Sequence, residues 1–263
     1  MQPAELVQVA IILTETQDFG KRRSPQGFMV DCCACDRAVE LGGNFVTLAI
    51  FDLDNTLLAG DSDHAWGEFL VEEEIVDPEE YRLANDRFYQ EYLNGELDIF
   101  HYQRFVLEPL TRHNMDELNA WRDVFMAKKI QPMMQDKAAK LLADHRAQGH
   151  TLMIITATNR FVTERIADKL GVDYLIATEP ELVNGRFTGE VAGTPSFQEG
   201  KVERLNDWLA AHGESLENAW FYSDSHNDLP LLRKVPNPVA VDPDPTLEAQ
   251  ARELGWPVLS LRD

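Results

Sequence analysis

Residues 46–56, which read VTLAIFDLDNT, decide the fold. Residues 46–51 form a nearly continuous apolar run, which is typical of a parallel strand that other elements cover on both faces. Asp52 and Asp54 follow directly, and side chains two positions apart on an extended chain point to the same side. We therefore predict a buried strand whose carboxyl end carries two carboxylates into one crevice. Taken alone, the two carboxylates are explained equally well without a functional site, if one caps a turn and the other is solvated.

Three further apolar runs follow, at residues 151–155, 174–177 and 219–222. Helix-like segments lie between or before them, at residues 135–148, 159–170 and 200–211. Each segment is followed by a glycine at a position suited to a C-terminal cap, namely Gly149, Gly171 and Gly213. This alternation predicts an α/β fold with a doubly wound parallel sheet, in which functional sites lie beyond the carboxyl ends of the strands.

Two inserts interrupt the alternation. Residues 62–130 contain four helix-like stretches and no clear strand, at 64–74, 78–93, 98–107 and 115–130. We predict a helical cap domain inserted after the first strand, so that the core consists of residues 46–61 and 131–263. Asn114 is a candidate N-cap of the fourth cap helix. Asn184-Gly185, within alternating residues, predicts a β-hairpin.

Residues 1–45 show no sustained helical or strand period. We predict a disordered N-terminal extension. One alternative is a metal-binding tail, because Cys32, Cys33 and Cys35 lie close together, although no fourth ligand is evident. Another alternative is that the segment precedes the true start, which would then be Val46. Sequencing the N-terminus of the native protein tests this second alternative, and the presence of residues 1–45 would reject it.

The composition excludes several classes of protein. The 263 residues include 45 acidic and 24 basic side chains, a net charge of −21, so we expect no nucleic-acid or membrane partner. No apolar segment approaches the roughly 20 residues that span a membrane. Lys21 is the first cation, which is too late for a secretory signal, and we expect a cytoplasmic protein. Residues 46–263 contain no cysteine and no G-x-x-x-x-G-K-[ST] loop, which excludes thiol catalysis there and argues against a nucleotide kinase of that type.

Four further polar residues stand where strands or helices end or begin. They are Thr156, Lys201, Asp224 and Asp228. Each has an ordinary explanation by itself, such as a surface lysine or a carboxylate at a helix N-terminus. In this order after Asp-x-Asp-x-Thr, they resemble the haloacid dehalogenase-like hydrolase superfamily over residues 46–263. The helical insert resembles its subfamily IB, which contains phosphoserine phosphatase.

The resemblance implies a role for each residue. Asp52 would be the nucleophile that becomes an aspartyl phosphate, and Asp54 the general acid and base. Asp52, Asp224 and the backbone carbonyl of Asp54 would bind Mg²⁺. Lys201 and Thr156 would hold the phosphoryl group, and Asp228 would hold Lys201 or a metal-bound water. Cations are needed because like charges 4 Å apart repel by ~4 kcal/mol at an effective dielectric constant of 20.

The cap is expected to select the substrate. Asp61 aligns with the acidic residue that contacts the substrate ammonium in phosphoserine phosphatases, although it could instead cap the first cap helix. We expect Asp63 and His64 to line the pocket; Trp66 could line it too, but core packing within the cap is the commoner role. Arg104 is the candidate for a substrate carboxylate, with Arg87 and Arg112 as rivals.

The two remaining substrate contacts that we expect, Ala157 and Asn227, lie in motifs that depart from the phosphoserine phosphatase pattern. These motifs, Thr156-Ala-Thr-Asn159 and Ser223-Asp-Ser-His-Asn-Asp228, resemble histidinol-phosphate phosphatases of the same superfamily. Residues 61–130 contain 17 acidic and 7 basic side chains, which suits a cationic leaving group, although most of these charges are expected on solvated helix faces.

These observations predict a Mg²⁺-dependent phosphatase of a small amino-alcohol or amino-acid phosphate, with histidinol phosphate as the preferred substrate. Alternatives are a phosphoserine phosphatase, a phosphotransferase, and a non-catalytic scaffold whose cysteine tail binds a metal or partner. A dehalogenase is disfavoured because displacement of a halide does not need the acid and base that Asp54 supplies.

Overall fold

A computed structural model describes residues 47–262 of the chain. Its strands are β1 Leu48–Phe51, β2 Thr151–Asn159, β3 Tyr174–Thr178, β4 Pro180–Val183, β5 Arg186–Val191, β6 Trp220–Ser223, β7 Asn237–Val241 and β8 Val258–Leu259. Six of them form a parallel sheet in the order β3-β2-β1-β6-β7-β8. The predicted parallel α/β sheet is confirmed. Its order places β1 between β2 and β6, so the three strand ends that carry polar motifs are neighbours.

Ten α-helices accompany the strands within the described residues. Four lie in the predicted cap: α1 Ser62–Glu72, α2 Pro78–Leu93, α3 Ile99–Thr111 and α4 Met115–Phe125. The others are α5 Gln131–Met133, α6 Asp136–Ala147, α7 Arg160–Leu170, α8 Glu199–His212, α9 Leu229–Leu232 and α10 Pro245–Leu254. None of the helices within residues 47–262 is long and apolar enough to cross a membrane. The cytoplasmic location stays a prediction.

Local sequence explains where the cap helices begin. The first three start after aspartates whose carboxylates accept backbone N–H bonds, namely Asp61, Asp77 and Asp98. Asn114 starts α4 in a capping box with Glu117, as its position before an apolar period predicts. The predicted fourth helix continues to residue 130 as a π-helical turn, Met126–Ile130.

The sheet is buried on both faces, which is why β1 is apolar throughout. All four of its residues are fully buried. Leu48 and Ile50 pack on one side with Phe221, whereas Ala49 and Phe51 pack on the other. The alternation sends successive side chains to opposite faces, so a strand covered twice has no polar position.

The sequence analysis did not predict the strands β7 and β8. Pro238 occupies the second position of β7 and removes a backbone donor, which leaves an apolar run of three residues. The strand β8 has only two residues. The strand β7 lies between β6 and β8, and β8 is the edge strand; both are short, and tertiary packing stabilises them more than local propensity does.

The hairpin forms as predicted. The strands β4 and β5 pair antiparallel, and Asn184 and Gly185 at the turn have φ of 52° and 75°. Positive φ at both central residues is the reason for an Asn-Gly pair here. The predictions for residues 1–45, including the three cysteines, lie outside the described residues.

A buried histidine links α6 to the sheet. His145 is 4% exposed, and its Nε2 lies 2.8 Å from the hydroxyl of Tyr222 on β6. Its Nδ1 lies 2.8 Å from Nδ1 of His150. Burial and the neighbouring His150 lower the pKa of His145 to about 4. The folded protein therefore holds this ring neutral at a pH where an unfolded chain would protonate it.

This pKa predicts how stability changes with pH. Between the ordinary value of about 6.5 and about 4, the unfolded state binds a proton that the folded state does not, so stability falls as pH falls. We expect His145 to contribute a loss of about 2 kcal/mol in the free energy of unfolding between pH 7 and pH 5. Urea unfolding at both pH values measures this loss. The free energy of unfolding that His145→Gln loses between the two pH values should be smaller than the wild-type loss by the contribution of His145. His212→Gln, at an exposed histidine, is the matched control. An identical pH dependence in wild type and His145→Gln would contradict the assignment.

Candidate active site

A buried lysine joins two of the predicted carboxylates. Lys201, in the first turn of α8, donates from Nζ to Asp52 Oδ1 at 2.7 Å and to Asp228 Oδ2 at 2.8 Å. All three side chains are at least nine-tenths buried. Asp52 directly follows β1, and Asp228 lies in the turn after β6, where the Ser223 hydroxyl also donates to it at 2.7 Å. The adjacent strands and α8 therefore fix the position of the Asp52 carboxylate.

Negative charge exceeds positive charge at this point. Burial raises the pKa of Asp52 to about 7, with contributions from Asp228 and Asp54 that Lys201 opposes. Burial, Asp52 and Asp228 also raise the pKa of Asp224 well above its ordinary range. Burial by itself lowers the pKa of Lys201, but Asp228 and Asp52 outweigh it and raise the value. One ammonium does not balance these carboxylates, so a further cation would stabilise the ionised site.

Because carboxylates exceed cations here, we compared the donor atoms of the site with those that Mg²⁺ prefers. The Thr56 hydroxyl donates to Asp224 Oδ1 at 3.0 Å and accepts the Asp224 backbone N–H at 3.0 Å, which holds that carboxylate beside Asp52. Within residues 47–262, no three His, Cys, Asp or Glu side chains are grouped as a metal cluster. Two carboxylates together with a main-chain oxygen remain, and Mg²⁺ is commonly held by one or two carboxylates, waters and substrate phosphate. The donor set therefore fits the predicted ion.

Asp54 is held by donors from two elements. Thr158 Oγ1, near the end of β2, donates to Asp54 Oδ2 at 2.7 Å, and the Ser62 backbone N–H at the start of α1 donates to Oδ1 at 2.6 Å. Thr156 Oγ1 lies farther away, at 3.4 Å from the same Oδ2. Asn55 reverses the chain after Asp54 with a φ of 55°. These contacts place the carboxylate of Asp54 between the sheet and the cap.

Sequence reasoning did not assign Thr158 to the site. The signal was present, because Thr156 and Thr158 are two positions apart on one strand and so share a face. The structure places both hydroxyls on Asp54.

Asp61 caps the first cap helix and also lines the cavity, so its predicted contact with a substrate ammonium stays a prediction. Its Oδ1 accepts the backbone N–H groups of Asp63 and His64 at 2.9 Å, so it caps α1. The same residue lines the cavity. Burial and the nearby Asp54 raise the pKa of Asp61 to about 7, against the two backbone bonds. Helix capping and a position at the cavity wall are therefore compatible here.

One cavity lies between the cap and the strand ends. Ten of the twelve residues predicted for the site line it: Asp52, Asp54, Asp61, Asp63, His64, Thr156, Ala157, Lys201, Asn227 and Asp228. Of the other two, Asp224 lies beside Asp52 and accepts a hydrogen bond from Thr56. Arg104 lines a different cavity. Trp66 is fully buried and packs against Phe69 and Phe125, so it belongs to the core of the cap.

Aromatic side chains form much of the cap side of the cavity, and the sequence interpretation missed them. Among the lining residues Asn85, Phe88, Tyr89 and Tyr92 recur on α2 at a helical spacing, which was the available signal. His64 stacks on Tyr89 with ring centroids 4.9 Å apart, and its Nδ1 lies 2.9 Å from Asn85 Nδ2. The ring of His64 is thereby fixed at the cavity wall.

The expectation for Arg104 needs correction. Its Nε donates to both carboxylate oxygens of Glu190 on β5, at 3.2 and 3.1 Å, on the outer side of α3. Tyr102 and Gln103 on α3 line the cavity, and a step of one residue rotates the next side chain by about 100°. Its rivals pair elsewhere too, Arg87 with Glu91 and Arg112 with Glu108. Within residues 47–262, Lys201 is the only Lys or Arg that lines this cavity.

Comparisons with known proteins agree with this geometry. The profile of a family described as haloacid dehalogenase-like hydrolase matches residues 49–233. A histidinol-phosphatase of Neisseria meningitidis serogroup C is 46% identical over 219 residues, covering 82% of this chain and 99% of that protein. A crystal structure of a protein of unknown function from Bordetella pertussis Tohama I is 44% identical, with a TM-score of 0.78, covering 83% of this chain and 100% of that one.

A phosphoserine phosphatase structure, with an analogue of its phospho-aspartyl intermediate, shares the fold at 20% identity. Its TM-score is 0.60, and the match covers 83% of this chain and 94% of the other. The family profile covers well over half of the chain, and the polar motifs that it spans meet at one sheet edge. The chain belongs to the haloacid dehalogenase-like hydrolase family.

Proposed function

We propose that the protein hydrolyses histidinol phosphate to histidinol and phosphate. One observation carries the choice of substrate: the cap side of the cavity presents Asp61, Asp63 and several aromatic rings, and Lys201, which is already bound to Asp52, is the only Lys or Arg among the described residues that line the cavity. Histidinol phosphate has an ammonium and an imidazole but no carboxylate. The 46% identity to a histidinol-phosphatase along nearly the whole of that relative supports the same choice.

The reaction proceeds in two displacements on phosphorus. A carboxylate oxygen of Asp52 attacks the phosphorus atom, and the bond to the leaving alcohol oxygen breaks as Asp54 donates a proton to that oxygen. In the second step Asp54 accepts a proton from a water molecule whose oxygen attacks the phosphorus. The bond to Asp52 then breaks and phosphate leaves, which regenerates both carboxyl groups.

The surrounding residues prepare each group for its step. Lys201 binds Oδ1 of Asp52 and so turns the other carboxylate oxygen toward the cavity. Thr158 and the Ser62 N–H orient Asp54 between nucleophile and cap. The ammonium of Lys201 also offsets the charge of the phosphoryl group at the moment of transfer. Asp228 and Ser223 keep that ammonium in place.

A divalent ion would complete the charge balance. Asp52, Asp224 and the main-chain carbonyl of Asp54 would hold Mg²⁺, which when bound polarises a phosphoryl oxygen and reduces repulsion between the ester and the carboxylate. This assignment rests on the donor set and on the excess of buried carboxylates over Lys201.

Phosphoserine fits the cavity less well. Its carboxylate would face Asp61 and Asp63 without a free cation among the lining residues, because Lys201 is bound to Asp52 and Asp228 and Arg104 pairs with Glu190. A buried charge without a partner costs several kcal/mol.

The scaffold alternative depended on the cysteine tail, which lies outside the described residues. No contact of the described residues favours a phosphotransferase.

Phosphate release from a panel of esters tests the proposal. We expect wild type to have its highest kcat/KM on histidinol phosphate and a far lower one on phosphoserine. Asp52→Asn should lower kcat on the order of 10⁴-fold or more, since it removes the nucleophile but keeps the shape. Retained activity in Asp52→Asn would refute the mechanism, and a preference for phosphoserine would refute the substrate.

The contact between Thr158 and Asp54 generates a second prediction. Thr158→Val keeps the shape but removes a hydrogen bond to a charged group, which is worth about 1.5–3 kcal/mol. We expect kcat on histidinol phosphate to fall about 10- to 100-fold, whereas Thr158→Ser, the matched control, stays near wild type. Equal activity of the Val and Ser variants would show that this hydroxyl does not orient Asp54.

Metal dependence is the third test of the site. Dialysis against a chelator should abolish phosphate release, and added Mg²⁺ should restore it. Asp224→Asn should raise the Mg²⁺ concentration for half-maximal activity by at least tenfold, because it removes one of two carboxylate ligands. Full activity after exhaustive chelation would contradict the metal assignment.

A further inference from the structure

The cap carries a second carboxylate deeper than Asp61. Asp63, in the first turn of α1, is 7% exposed and lines the cavity. It shares a side-chain hydrogen bond with Tyr102 of α3, and its Oδ1 is buried without any hydrogen-bond partner. A buried carboxylate oxygen with no donor costs free energy, so its retention at a cavity wall calls for an explanation.

The two cap carboxylates flank the residue that binds Asp54. Ser62, which lies between them in the chain, donates its backbone N–H to Asp54 Oδ1 at 2.6 Å. Asp61 caps α1 through the backbone N–H groups of Asp63 and His64, whereas Asp63 is more deeply buried and meets Tyr102 of α3. Both line the cavity, with Asp63 on its inner cap side.

A second unpartnered acceptor lies on the same wall. Gln103 is fully buried, and its Nε2 donates to the main-chain oxygen of Ala157 at 3.5 Å. Because a carbonyl only accepts, this contact fixes the amide so that Oε1 is the free atom, and Oε1 has no partner. Gln103 and Ala157 both line the cavity. Asp63 and Gln103 therefore present two acceptors that lack donors.

We propose that Asp63, held by Tyr102 and flanked by Gln103, forms a second nitrogen-binding subsite that receives a ring N–H at the far end of the leaving group. Asp61 then receives the ammonium next to the ester. This inference rests on the proposed function and identifies which residues choose the alcohol. An imidazole N–H supplies the missing donor in either protonation state of the ring.

A subsite of unpaired acceptors discriminates strongly. When a substrate lacks the donor, the buried acceptor stays unsatisfied, so recognition is sharper than apolar contact provides. Simple amino-alcohol phosphates should therefore be poor substrates even though they carry the ammonium. Tyr102 acts as a positioning residue, because it holds Asp63 in one orientation.

The experiment compares two esters that differ only in the ring. Histidinol phosphate and alaninol phosphate share the amino-alcohol phosphate end, and the second has no imidazole. Wild type should favour histidinol phosphate by about 10- to 100-fold in kcat/KM, the range expected for a hydrogen bond to a charged group. Asp63→Asn should lower kcat/KM at least tenfold more for histidinol phosphate than for alaninol phosphate, chiefly through KM.

Two further variants separate binding from folding. Asp61→Asn is the matched control: asparagine also caps helices, and the variant should reduce both esters by the same factor. Tyr102→Phe keeps the ring and the Asp63 side chain but removes the hydrogen bond that orients the carboxylate, so it should reproduce part of the selective loss.

The inference is overturned if Asp63→Asn lowers kcat/KM equally for both esters, or if wild type does not distinguish them. Failure of the proposed function has a different signature, because wild type then releases phosphate from neither ester or prefers phosphoserine.

Discussion

The ion pair of Lys201 with Asp52 and Asp228 is the constraint on which the rest of the site depends. Its three groups are almost fully removed from solvent, and a buried charge is tolerated only where partners and hydrogen bonds satisfy it. The lysine sits in the first turn of α8, whereas its two partners follow β1 and β6. The pair therefore requires three separate elements to meet within hydrogen-bond distance.

The topology of the sheet satisfies this requirement. With β1 between β2 and β6, the residues that follow three adjacent parallel strands share one edge. Asp52 follows the central strand, Thr158 lies near the end of one neighbour, and Asp224 follows the other. The cap closes the remaining side, and Ser62 at its first turn binds Asp54 directly. One sheet edge and the start of one helix thus fix the positions of the proposed nucleophile, the proposed acid and the proposed leaving-group pocket.

Much of this arrangement was predictable because it is encoded locally. Apolar runs predicted the strands, and glycines after helix-like segments predicted the helix ends. The order of Asp52, Lys201 and Asp228 along the chain predicted which side chains meet at the sheet edge. The orientation of Arg104 was not predictable, because one residue of helical rotation decides whether a side chain on α3 meets the cavity or Glu190. The bond between Asp63 and Tyr102 likewise depends on how α1 packs on α3, which spacing along the chain does not specify.

The central claim is that Asp52 carries the phosphoryl group between the two displacements. The direct measurement is a millisecond acid quench of the enzyme with its phosphate ester, followed by borohydride reduction of any acyl phosphate and peptide mass spectrometry. The account predicts a transient modification at Asp52 that appears before phosphate release reaches its steady rate. Turnover without any acyl phosphate, or modification at a residue other than Asp52, would contradict it.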